Sequence, residues 1–343
     1  MKVCFVSDVL GFGGAERVMT SLANSFVKKG IETDILVLNS NHDSSYAIDS
    51  NVNIHSLFSK RITRFKKIIL LKKYLIKKQY DYVISFLPHV AIYTYLATRK
   101  TKTKFIISER SNPKSYSFLV KRLLRICFKH ADGCVFQTHD AFNFYKSKSK
   151  STIILNPIPS HLPLCDFNES KNKTIVYVAS FQPIKNHKML IDAFSIVEKT
   201  HRDYKLKLYG DGVLRNQIIE YINKKNLKSK VLLEGNNSNW YSIEKNASCF
   251  AFSSLSEGLP NALLEALCVG IPCVSTDCEN GGARELITNG INGLIVKNND
   301  LFMMADAISN IIDNKLCFDN SSLRSKCDLD NITDEWIDFL KGI

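Results

Sequence analysis

The sequence lacks the features that mark several common classes of protein. No apolar stretch approaches the roughly 18 residues that a membrane-spanning helix needs, and the first residues, MKVCFVSD, are typical of a strand and not of a signal peptide. The ten cysteines form no paired CxxC set with histidines, which argues against a zinc site and against a disulfide framework. We therefore expect a cytoplasmic protein whose cysteines are reduced core residues.

Acidic residues are scarce in the first half of the chain. Residues 1–160 contain 26 Lys and Arg against 10 Asp and Glu, whereas the rest of the chain contains 20 against 23. The net charge of +13 therefore comes entirely from the first half. Nucleic acid is the usual partner of such a basic surface, but this half contains no recognisable nucleic-acid module and no aromatic platform, so we expect no nucleic-acid partner.

The chain is long enough for two domains of the α/β type. It has 343 residues, of which 45% are hydrophobic. In the first half, apolar runs of strand length alternate with helical segments, which predicts a doubly wound parallel sheet covered on both faces. Pro157 and Pro159 stiffen a linker, after which the same alternation begins again. We expect one such domain over residues 1–160, a second over residues 161–327, and a terminal helix within residues 328–343.

Residues 249–277 read as a strand, a glycine loop, a helix and a second strand. The helix is expected over residues 260–269, because proline suits the first turn of a helix and Gly270 suits the position after its last residue. Glu257 lies in the loop, while Glu265 lies in the helix among leucines that should face the core. A carboxylate in that position is costly to bury unless hydroxyl groups or a cation meet it.

This arrangement favours a nucleotide as the ligand. Backbone N–H groups at a helix N-terminus bind phosphate beside a glycine, and a carboxylate further along the helix can accept hydrogen bonds from a ribose diol. The spacing of the two carboxylates, taken alone, is more simply explained by a capped turn with one surface Glu and one half-buried Glu. The loop, the helix end and the second strand together favour the nucleotide.

A second glycine-rich turn follows the first expected strand. Residues 11–14, GFGG, lie between the strand of residues 2–8 and the helix of residues 15–29. Such a turn can hold an anion or a sugar against backbone amides, although many α/β proteins use glycine there only to turn. The segment contains no full GxGxxG, and no acidic residue follows at the spacing of a dinucleotide fold, which argues against an NAD enzyme.

Glu257 and Glu265, separated by seven residues and followed by Gly270 and Pro272, resemble the E-x7-E signature of the retaining GT-B glycosyltransferases of family GT4. Further motifs occur in the order of the family: GGAERV near the start, FQT at 136–138, NPI at 156–158, Lys185-Asn186, and GDG at 210–212. The resemblance covers nearly the whole chain. It implies the GT-B architecture, in which two Rossmann-like domains face a cleft, the first binding the acceptor and the second the donor, and the terminal helix packs back on the first.

The resemblance also implies roles for individual residues. Glu257 should contact the transferred sugar, Glu265 the ribose and Lys185 the diphosphate. A lysine suits that role on chemical grounds, because it stabilises the charge on a leaving nucleoside diphosphate, although it could also be a solvated loop residue. The expected donor-binding residues are Glu265, Gly258, Leu259, Pro260, Gly13, Gly14, Gly210 and Arg284.

The chain departs from the family pattern at two positions. Ala179-Ser180 stands where relatives often carry Gly-Arg before the diphosphate lysine, so Arg284 is a candidate to replace that contact. Ser108-Glu109-Arg110 stands where a His is common at the end of a first-domain strand, and we therefore expect Glu109 among the catalytic residues and Arg110 at the acceptor. We associate the pattern SERSNP with enzymes of bacterial polysaccharide and lipid-linked oligosaccharide synthesis.

The function that the resemblance implies is that of a retaining hexosyltransferase of class EC 2.4. We expect transfer of a UDP-linked hexose or N-acetylhexosamine to a lipid-linked oligosaccharide or polysaccharide intermediate of bacterial cell-surface glycans, such as capsule or O-antigen. No metal-ligand cluster is evident, so we expect no metal and no other cofactor. The alternative is a non-catalytic GT-B protein that binds a sugar nucleotide or a lipid; a phosphorylase or epimerase would need different cleft chemistry, and no pyridoxal lysine motif is present.

Residues 60–78, KRITRFKKIILLKKYLIKK, contain nine Lys and Arg and no acidic residue. Their apolar residues recur at helical spacing, which fits a core helix and a membrane-surface helix equally. The charge favours the membrane, because each basic residue near an anionic leaflet contributes about 1 kcal/mol. We therefore expect the enzyme to attach peripherally to the inner face of the cell membrane. The basic residues expected at the anionic surface are Lys66, Lys67, Lys72 and Lys73, and the apolar ones are Ile62, Phe65, Ile68, Ile69, Leu71 and Leu75.

Overall fold

The computed structural model describes residues 1–11, 13–39, 46–58, 63–165 and 171–343. Within these ranges the chain divides into two compact units, one made of Met1–Pro157 and Cys327–Ile343 and the other of Ile158–Lys326. The sequence places the corresponding boundaries after residues 160 and 327. Each unit is built around one parallel sheet.

The first unit contains a seven-stranded sheet in the order β3-β2-β1-β4-β5-β6-β7, and every pairing in it is parallel. Its strands are β1 (Lys2–Ser7), β2 (Glu32–Asn39), β3 (Asn53–Phe58), β4 (Tyr82–Ser85), β5 (Lys104–Ser108), β6 (Gly133–Phe136) and β7 (Lys150–Ile153). The central strands β1 and β4 are almost entirely buried, because apolar runs of this kind are covered on both faces of a parallel sheet.

Helices cover both faces of this sheet. They are α1 (Gly14–Lys28), α2 (Arg64–Lys78), α3 (Pro88–Thr98), α4 (Phe118–His130) and α5 (His139–Tyr145). The step from β1 to β2 runs in one direction across the sheet, and the steps from β3 to β4 and onward to β7 run in the other. Because such crossovers are right-handed, α1 lies on one face and α2 to α5 lie on the other. Helix α3 packs between α2 and α4.

The second unit contains a six-stranded parallel sheet in the order β10-β9-β8-β11-β12-β13. Its strands are β8 (Asn172–Val178), β9 (Lys205–Tyr209), β10 (Val231–Gly235), β11 (Ala247–Phe252), β12 (Cys273–Thr276) and β13 (Leu294–Val296). The helices between them are α6 (His187–Thr200), α7 (Arg215–Lys224), α8 (Trp240–Ile243), α9 (Asn261–Val269), α10 (Gly282–Leu286) and α11 (Leu301–Asp313). Every residue of β11 is buried, which makes this strand the centre of the unit.

Helix α12 (Ser321–Lys326) ends the second unit. Its Arg324 donates hydrogen bonds to three backbone carbonyls, those of Leu162 at 2.5 Å, Pro163 at 3.1 Å and Cys268 at 2.7 Å. The carbonyl of Cys268 belongs to the last turn of α9, where such groups have no partner within the helix. Arg324 therefore ties the beginning of this unit to its end.

Helix α13 (Leu329–Lys341) returns to the first unit. The Asp328 carboxylate caps it by accepting a hydrogen bond from the Asp330 N–H, and the helix lies within residues 328–343, as expected. Thr333 Oγ1 donates to Ser25 Oγ of α1 at 2.9 Å, and the hydroxyl of Tyr82 donates to the carbonyl of Leu340 at 2.8 Å. The terminal helix thus packs on the face that carries α1.

The sequence does not indicate β3 and α5. Strand β3 is an edge strand whose sequence, NIHSLF, lacks the continuous apolar run of a buried strand. Helix α5 is only seven residues long, and its clearest signal is Thr138, whose hydroxyl accepts a hydrogen bond from the Ala141 N–H. No helix in the described ranges combines the length and the apolar character that crossing a membrane requires.

Candidate active site

The loop between β11 and α9 carries the first of the two expected carboxylates. The Glu257 N–H donates to the carbonyl of Glu279 at 3.2 Å, which fastens this loop to the segment after β12. Helix α9 begins at Asn261, one residue later than expected, with Pro260 as its N-cap. It ends where expected, at Gly270, whose φ of +93° is the left-handed conformation that glycine adopts most readily. No side chain caps the start of α9.

Lys185 and Glu257 contact each other. Lys185 Nζ lies 2.5 Å from Glu257 Oε1, and the two side chains are only 20% and 14% exposed. The carbonyl of Lys185 accepts hydrogen bonds from the hydroxyls of Tyr177 at 2.7 Å and Ser253 at 3.0 Å, which hold the backbone of Lys185 in place. The structure therefore brings together the residues that were expected to hold the diphosphate and the transferred sugar, and Lys185 is not a freely solvated loop residue.

Helix α6 begins directly after Lys185. Its N-cap is Asn186, which has a left-handed backbone with φ of 52° and makes no side-chain capping bond. The Asn186 amide instead donates to Asn299 Oδ1 at 2.9 Å. A fourteen-residue helix places partial positive charge at this end, which directly follows Lys185 in the chain. The start of α6 and the lysine before it are thus groups suited to phosphate oxygens.

Glu265 is buried inside the second unit, at 3% exposure. Its Oε2 accepts a hydrogen bond from the Trp240 indole N–H at 3.1 Å, and Trp240 is itself buried and lies 5.3 Å from the ring of Phe250. The indole therefore fixes the carboxylate that was expected to hold the ribose. Trp240 cannot be recognised as a partner of Glu265 from the sequence, because it lies on the four-residue helix α8, 25 positions away from Glu265.

Two glycines in this unit are required by close backbone contacts. Gly210 has φ of +133°, and a Cβ there would lie 2.0 Å from the carbonyl oxygen of Ala179. The expected donor residue Gly210 therefore packs against Ala179-Ser180, the pair that stands in place of Gly-Arg. A Cβ on Gly282 of α10 would lie 1.9 Å from the carbonyl oxygen of Gly258. The loop that carries Gly258, Leu259 and Pro260 thus rests directly on the start of α10.

Arg284 forms an ion pair with Asp277, and both side chains are more than one third exposed. This contact places Arg284 on the surface of α10 with one nitrogen already engaged. Among the described residues, no three His, Cys, Asp or Glu side chains come together as metal ligands would.

His187, which the sequence analysis did not single out, lies at the first position of α6. Its ring packs between Tyr177, at 5.0 Å, and Phe181, at 4.8 Å. Burial, together with the charge of Lys185, lowers the pKa of His187 to about 4. The imidazole is therefore neutral at neutral pH and does not compete with Lys185 for anions.

In the first unit, Glu109 points into the interior. Its Oε1 accepts hydrogen bonds from the Ser111 N–H at 3.1 Å and the Tyr116 hydroxyl at 2.9 Å, and its Oε2 accepts one from the Tyr145 hydroxyl at 2.9 Å. Burial raises the pKa of Glu109, while these hydrogen bonds act in the opposite direction. Both carboxylate oxygens are thus bonded to the surrounding protein, which favours a positioning role over contact with reacting atoms.

Arg110 joins three of the sequence motifs at the carboxyl ends of the strands. Its Nε donates to Ser108 Oγ at 2.8 Å, its Nη1 donates to Asn156 Oδ1, and the same oxygen accepts from the Gln137 amide. The guanidinium carbon lies 4.5 Å from the centre of the Phe86 ring, and burial lowers the pKa of Arg110. SERSNP, FQT and NPI therefore meet at one position at the ends of β5, β6 and β7.

The other glycine-rich turn begins α1. Gly13 is the N-cap of that helix, no side chain caps it, and a Cβ on Gly13 would lie 2.1 Å from Glu16 Oε2. Gly14 is the first helical residue. Phe12 lies outside the described residues. The start of α1 follows β1, so it also lies at the carboxyl edge of its sheet.

Two family models match consecutive parts of the chain. The model for Glycosyltransferase Family 4 matches residues 12–161, and the model for Glycosyl transferases group 1 matches residues 166–328. A Campylobacter jejuni protein named GalNAc-alpha-(1->4)-GalNAc-alpha-(1->3)-diNAcBac-PP-undecaprenol alpha-1,4-N-acetyl-D-galactosaminyltransferase is 28% identical over 100% of this chain and 99% of its own length. A second C. jejuni protein, N-acetylgalactosamine-N,N'-diacetylbacillosaminyl-diphospho-undecaprenol 4-alpha-N-acetylgalactosaminyltransferase, is 30% identical over 84% of both chains.

Solved structures share the fold at lower sequence identity. The Anabaena protein Alr3699/HepE in complex with UDP has a TM-score of 0.82 and 15% identity, with 100% of both chains covered. The apo form of the lipopolysaccharide outer core galactosyltransferase WaaB has a TM-score of 0.78 and 19% identity, with 100% of this chain and 99% of that chain covered. The chain therefore belongs to the GT4 family of glycosyltransferases and has the GT-B fold.

Proposed function

We propose that this glycosyltransferase moves a sugar from a nucleotide donor to a lipid-linked oligosaccharide or polysaccharide intermediate, with retention of configuration at the anomeric carbon. The observation that carries the proposal is the contact between Lys185, which precedes the start of α6, and Glu257, which lies in the loop before α9. The second unit thus holds a cation and a carboxylate in contact, and each precedes a helix that has no side-chain cap. These are the groups that a sugar diphosphate needs.

In the proposed reaction the bond between the anomeric carbon and the diphosphate oxygen breaks, and a hydroxyl oxygen of the acceptor bonds to that carbon. The acceptor proton passes to the leaving diphosphate, as in the front-face reaction usually proposed for the family. Lys185 and the start of α6 stabilise the negative charge that develops on the diphosphate. Glu257 holds the sugar, and Glu265, oriented by Trp240, holds the ribose. No metal or other cofactor takes part in this scheme.

The donor is proposed to be a UDP-linked hexose or N-acetylhexosamine. The two C. jejuni relatives are named N-acetylgalactosaminyltransferases, and the Anabaena protein was solved with UDP. The same relatives are named for undecaprenol-linked substrates, which supports a lipid-linked acceptor in bacterial surface-glycan synthesis. We propose that Arg110 contacts this acceptor and that Glu109 keeps the SERSNP segment in place through Ser111 and Tyr116.

We propose that the enzyme attaches to the inner face of the membrane as a peripheral protein, where a lipid-linked acceptor would lie. Of the four lysines expected at this surface, Lys66 and Lys73 are exposed. Lys67 and Lys72 are partly buried, and the Lys72 amine donates to the carbonyl of Arg99 at 2.9 Å. Lys60, Arg61 and Ile62 lie outside the described residues. We therefore propose that Lys66 and Lys73 supply more of the electrostatic attraction than the other two.

The function is tested by incubating the purified protein with a panel of sugar nucleotides and lipid-diphosphate acceptors. Release of nucleoside diphosphate that depends on both substrates, together with an α-linked product from an α-linked donor, is the expected result. Tight binding of a sugar nucleotide with no turnover on any acceptor would favour the alternative, a non-catalytic binding protein. An inverted product would contradict the proposed stereochemistry.

A further inference from the structure

Helix α4 presents apolar side chains to solvent. Phe118 is 77% exposed, Leu119 69%, Leu123 46% and Ile126 43%. Its opposite side, with Leu124, Cys127 and Phe128, is buried against the sheet, so the exposed residues are not needed for the core. A helix that only covers a sheet normally carries polar residues on its outer face. A cluster of exposed apolar residues on one helix indicates an interaction surface.

The charges of α4 lie beside these apolar residues and all have one sign. Leu119, Leu123 and Ile126 follow one another at spacings of four and three residues, so they form one stripe along the helix. The exposed residues Arg122, Arg125 and Lys129 form a neighbouring stripe at spacings of three and four. The helix contains no Asp or Glu. Side-by-side apolar and basic stripes are the pattern of a helix that lies in the surface of an anionic bilayer.

The neighbouring helices extend this surface. Helices α2 and α3 also contain no acidic residue, and α3 packs against both α2 and α4. Helix α2 exposes Phe65 at 74%, Ile69 at 39% and Ile76 at 54%, between exposed lysines. The expected apolar stripe of α2 is thus divided, because Leu71 and Leu75 face the core whereas Phe65 and Ile69 face outward. The layer of α2 to α4 thus contains no acidic residue in its helices, and its two outer helices, α2 and α4, both expose apolar and basic side chains.

The opposite face of the same unit lacks this excess of basic charge. Helix α13 packs on α1 and contains four acidic residues and one lysine, and its Asp334 pairs at 2.6 Å with Lys29, which follows α1. An anionic surface therefore attracts the face of α2 to α4 more strongly than the face of α1 and α13. This difference in charge orients the unit before any apolar side chain is inserted.

We propose that α4 inserts Phe118, Leu119, Leu123 and Ile126 into the boundary between headgroups and acyl chains of an anionic membrane, while Arg122, Arg125 and Lys129 bind the lipid phosphates. The proposal deepens the proposed function, because it names the element that holds the enzyme at its lipid-borne acceptor. It differs from adsorption through the lysines of α2, since insertion depends on apolar area and persists in salt once it has occurred.

Insertion is tested by flotation with vesicles of phosphatidylglycerol and phosphatidylethanolamine, using a Leu119→Gln/Leu123→Gln/Ile126→Gln variant. All three side chains are exposed, so the variant should fold, and we expect its vesicle affinity to fall by on the order of tenfold or more. The matched control is Phe302→Gln/Met303→Gln on α11 of the second unit, two residues that are 67% and 44% exposed. The control should bind as the wild type does.

A fluorescent label gives a second measurement. Cys317 is the exposed one among the ten cysteines, so Cys317→Ser followed by Leu119→Cys provides a site for a polarity-sensitive dye. We expect the emission of the dye at position 119 to shift to the blue with anionic vesicles but not with phosphatidylcholine vesicles. A dye attached at position 302 in the same way should show no shift with either. Wild-type flotation of the triple variant, or a dye spectrum that does not change, overturns the proposal. The proposal is also overturned if the wild type does not bind vesicles but self-associates as its concentration rises, and the triple variant does not self-associate. That result assigns the surface to a second copy of the chain.

These experiments need no substrate. If vesicle binding behaves as expected and no sugar nucleotide is turned over on any acceptor, the proposed function fails and the membrane site stands. If turnover on a lipid acceptor is normal and vesicle binding does not depend on α4, the membrane site fails and the proposed function stands.

Discussion

Lys185 Nζ lies 2.5 Å from Glu257 Oε1, so the two residues proposed to bind the donor diphosphate and the donor sugar contact each other directly. The carboxylate keeps the ammonium group in place and compensates its charge in a position that is largely closed to water. If the proposed roles hold, a donor diphosphate shares this ammonium group with Glu257, and binding of the anion and positioning of the sugar are coupled through one ion pair.

Replacing Glu257 should affect turnover more than donor binding. Glu257→Gln removes the negative charge but keeps the shape, and Lys185 remains available to the diphosphate. We expect kcat to fall by on the order of 100-fold, while the KM for the donor changes by no more than about threefold. Steady-state kinetics with the true donor measure both constants. A Glu257→Ala or Glu257→Gln enzyme with wild-type kcat would show that the assigned role is wrong.

Glu265 should govern donor affinity. Glu265→Ala removes the acceptor proposed for the ribose hydroxyls and leaves the buried Trp240 N–H without its carboxylate, and we expect the donor Kd to rise by on the order of 100-fold. Glu265→Gln still offers an oxygen to Trp240, so it separates loss of ribose binding from loss of folding. Calorimetry measures donor binding, and near-ultraviolet circular dichroism checks the fold. Unchanged donor affinity in a folded Glu265→Ala protein would contradict this role.

Transfer should not require a metal ion. Lys185 and the start of α6 are proposed to supply the positive charge that a divalent cation supplies in other transferases. We expect the rate of transfer to be the same, within error, with and without EDTA. Loss of activity in EDTA, followed by recovery with Mn²⁺, would contradict the proposal.

The two pairs of lysines on α2 should contribute unequally to membrane binding. Lys66 and Lys73 are exposed, so Lys66→Gln/Lys73→Gln should weaken binding to anionic vesicles by about 2 kcal/mol, or roughly thirtyfold. Lys67→Gln/Lys72→Gln should weaken it less, because these residues are partly buried and Lys72 already bonds to Arg99. Flotation across a salt series measures both, with Lys224→Gln/Lys228→Gln in the second unit as the control. Equal losses for the two pairs would contradict the placement of α2.

His187 should make stability depend on pH below neutrality. Burial lowers its pKa to about 4, so between about pH 6.5 and pH 4 the unfolded chain binds a proton that the folded chain does not. The free energy of unfolding should therefore fall as the pH drops through this window, by about 3 kcal/mol at most, and should be insensitive to this group above it. His187→Phe, which keeps a ring between Tyr177 and Phe181, should remove this dependence. Urea denaturation from pH 4 to 7 measures it, and the exposed His130→Gln should keep the wild-type slope.

The sequence predicts those parts of the fold that depend on neighbouring residues. Helix α2 lies within the patterned stretch of residues 60–78 and ends at its last residue, Lys78, and α9 ends at Gly270 because the glycine itself sets the left-handed turn. Strand β3 was missed because an edge strand needs no continuous apolar run. The periodicity of α2 could not show which apolar residues face the core, since that depends on where the helix lies on the sheet.

Side-chain partners that come from distant parts of the chain could not be predicted. Glu109 is expected among the catalytic residues because it stands where the family commonly has a His, whereas in the structure Tyr116 and Tyr145 come from two other segments to bind it. The indole of Trp240 reaches Glu265 only because α8 and α9 pack together. The contact of Lys185 with Glu257 joins residues 72 positions apart, and the sequence predicted their chemistry but not their pairing.

The hydrogen bonds of Arg324 bear on whether the second unit can fold when it is separated from the first. The chain leaves the first unit after Pro157 and returns to it at Cys327, so the second unit is an insert. Arg324, close to the end of the insert, holds the carbonyls of Leu162 and Pro163 near its beginning. The two ends of the insert are thus hydrogen-bonded to each other, as in a domain that can be excised and inserted into another protein. A chain of Ile158–Lys326 should fold by itself, and exchanging it between relatives should exchange donor preference while the acceptor preference remains with the host.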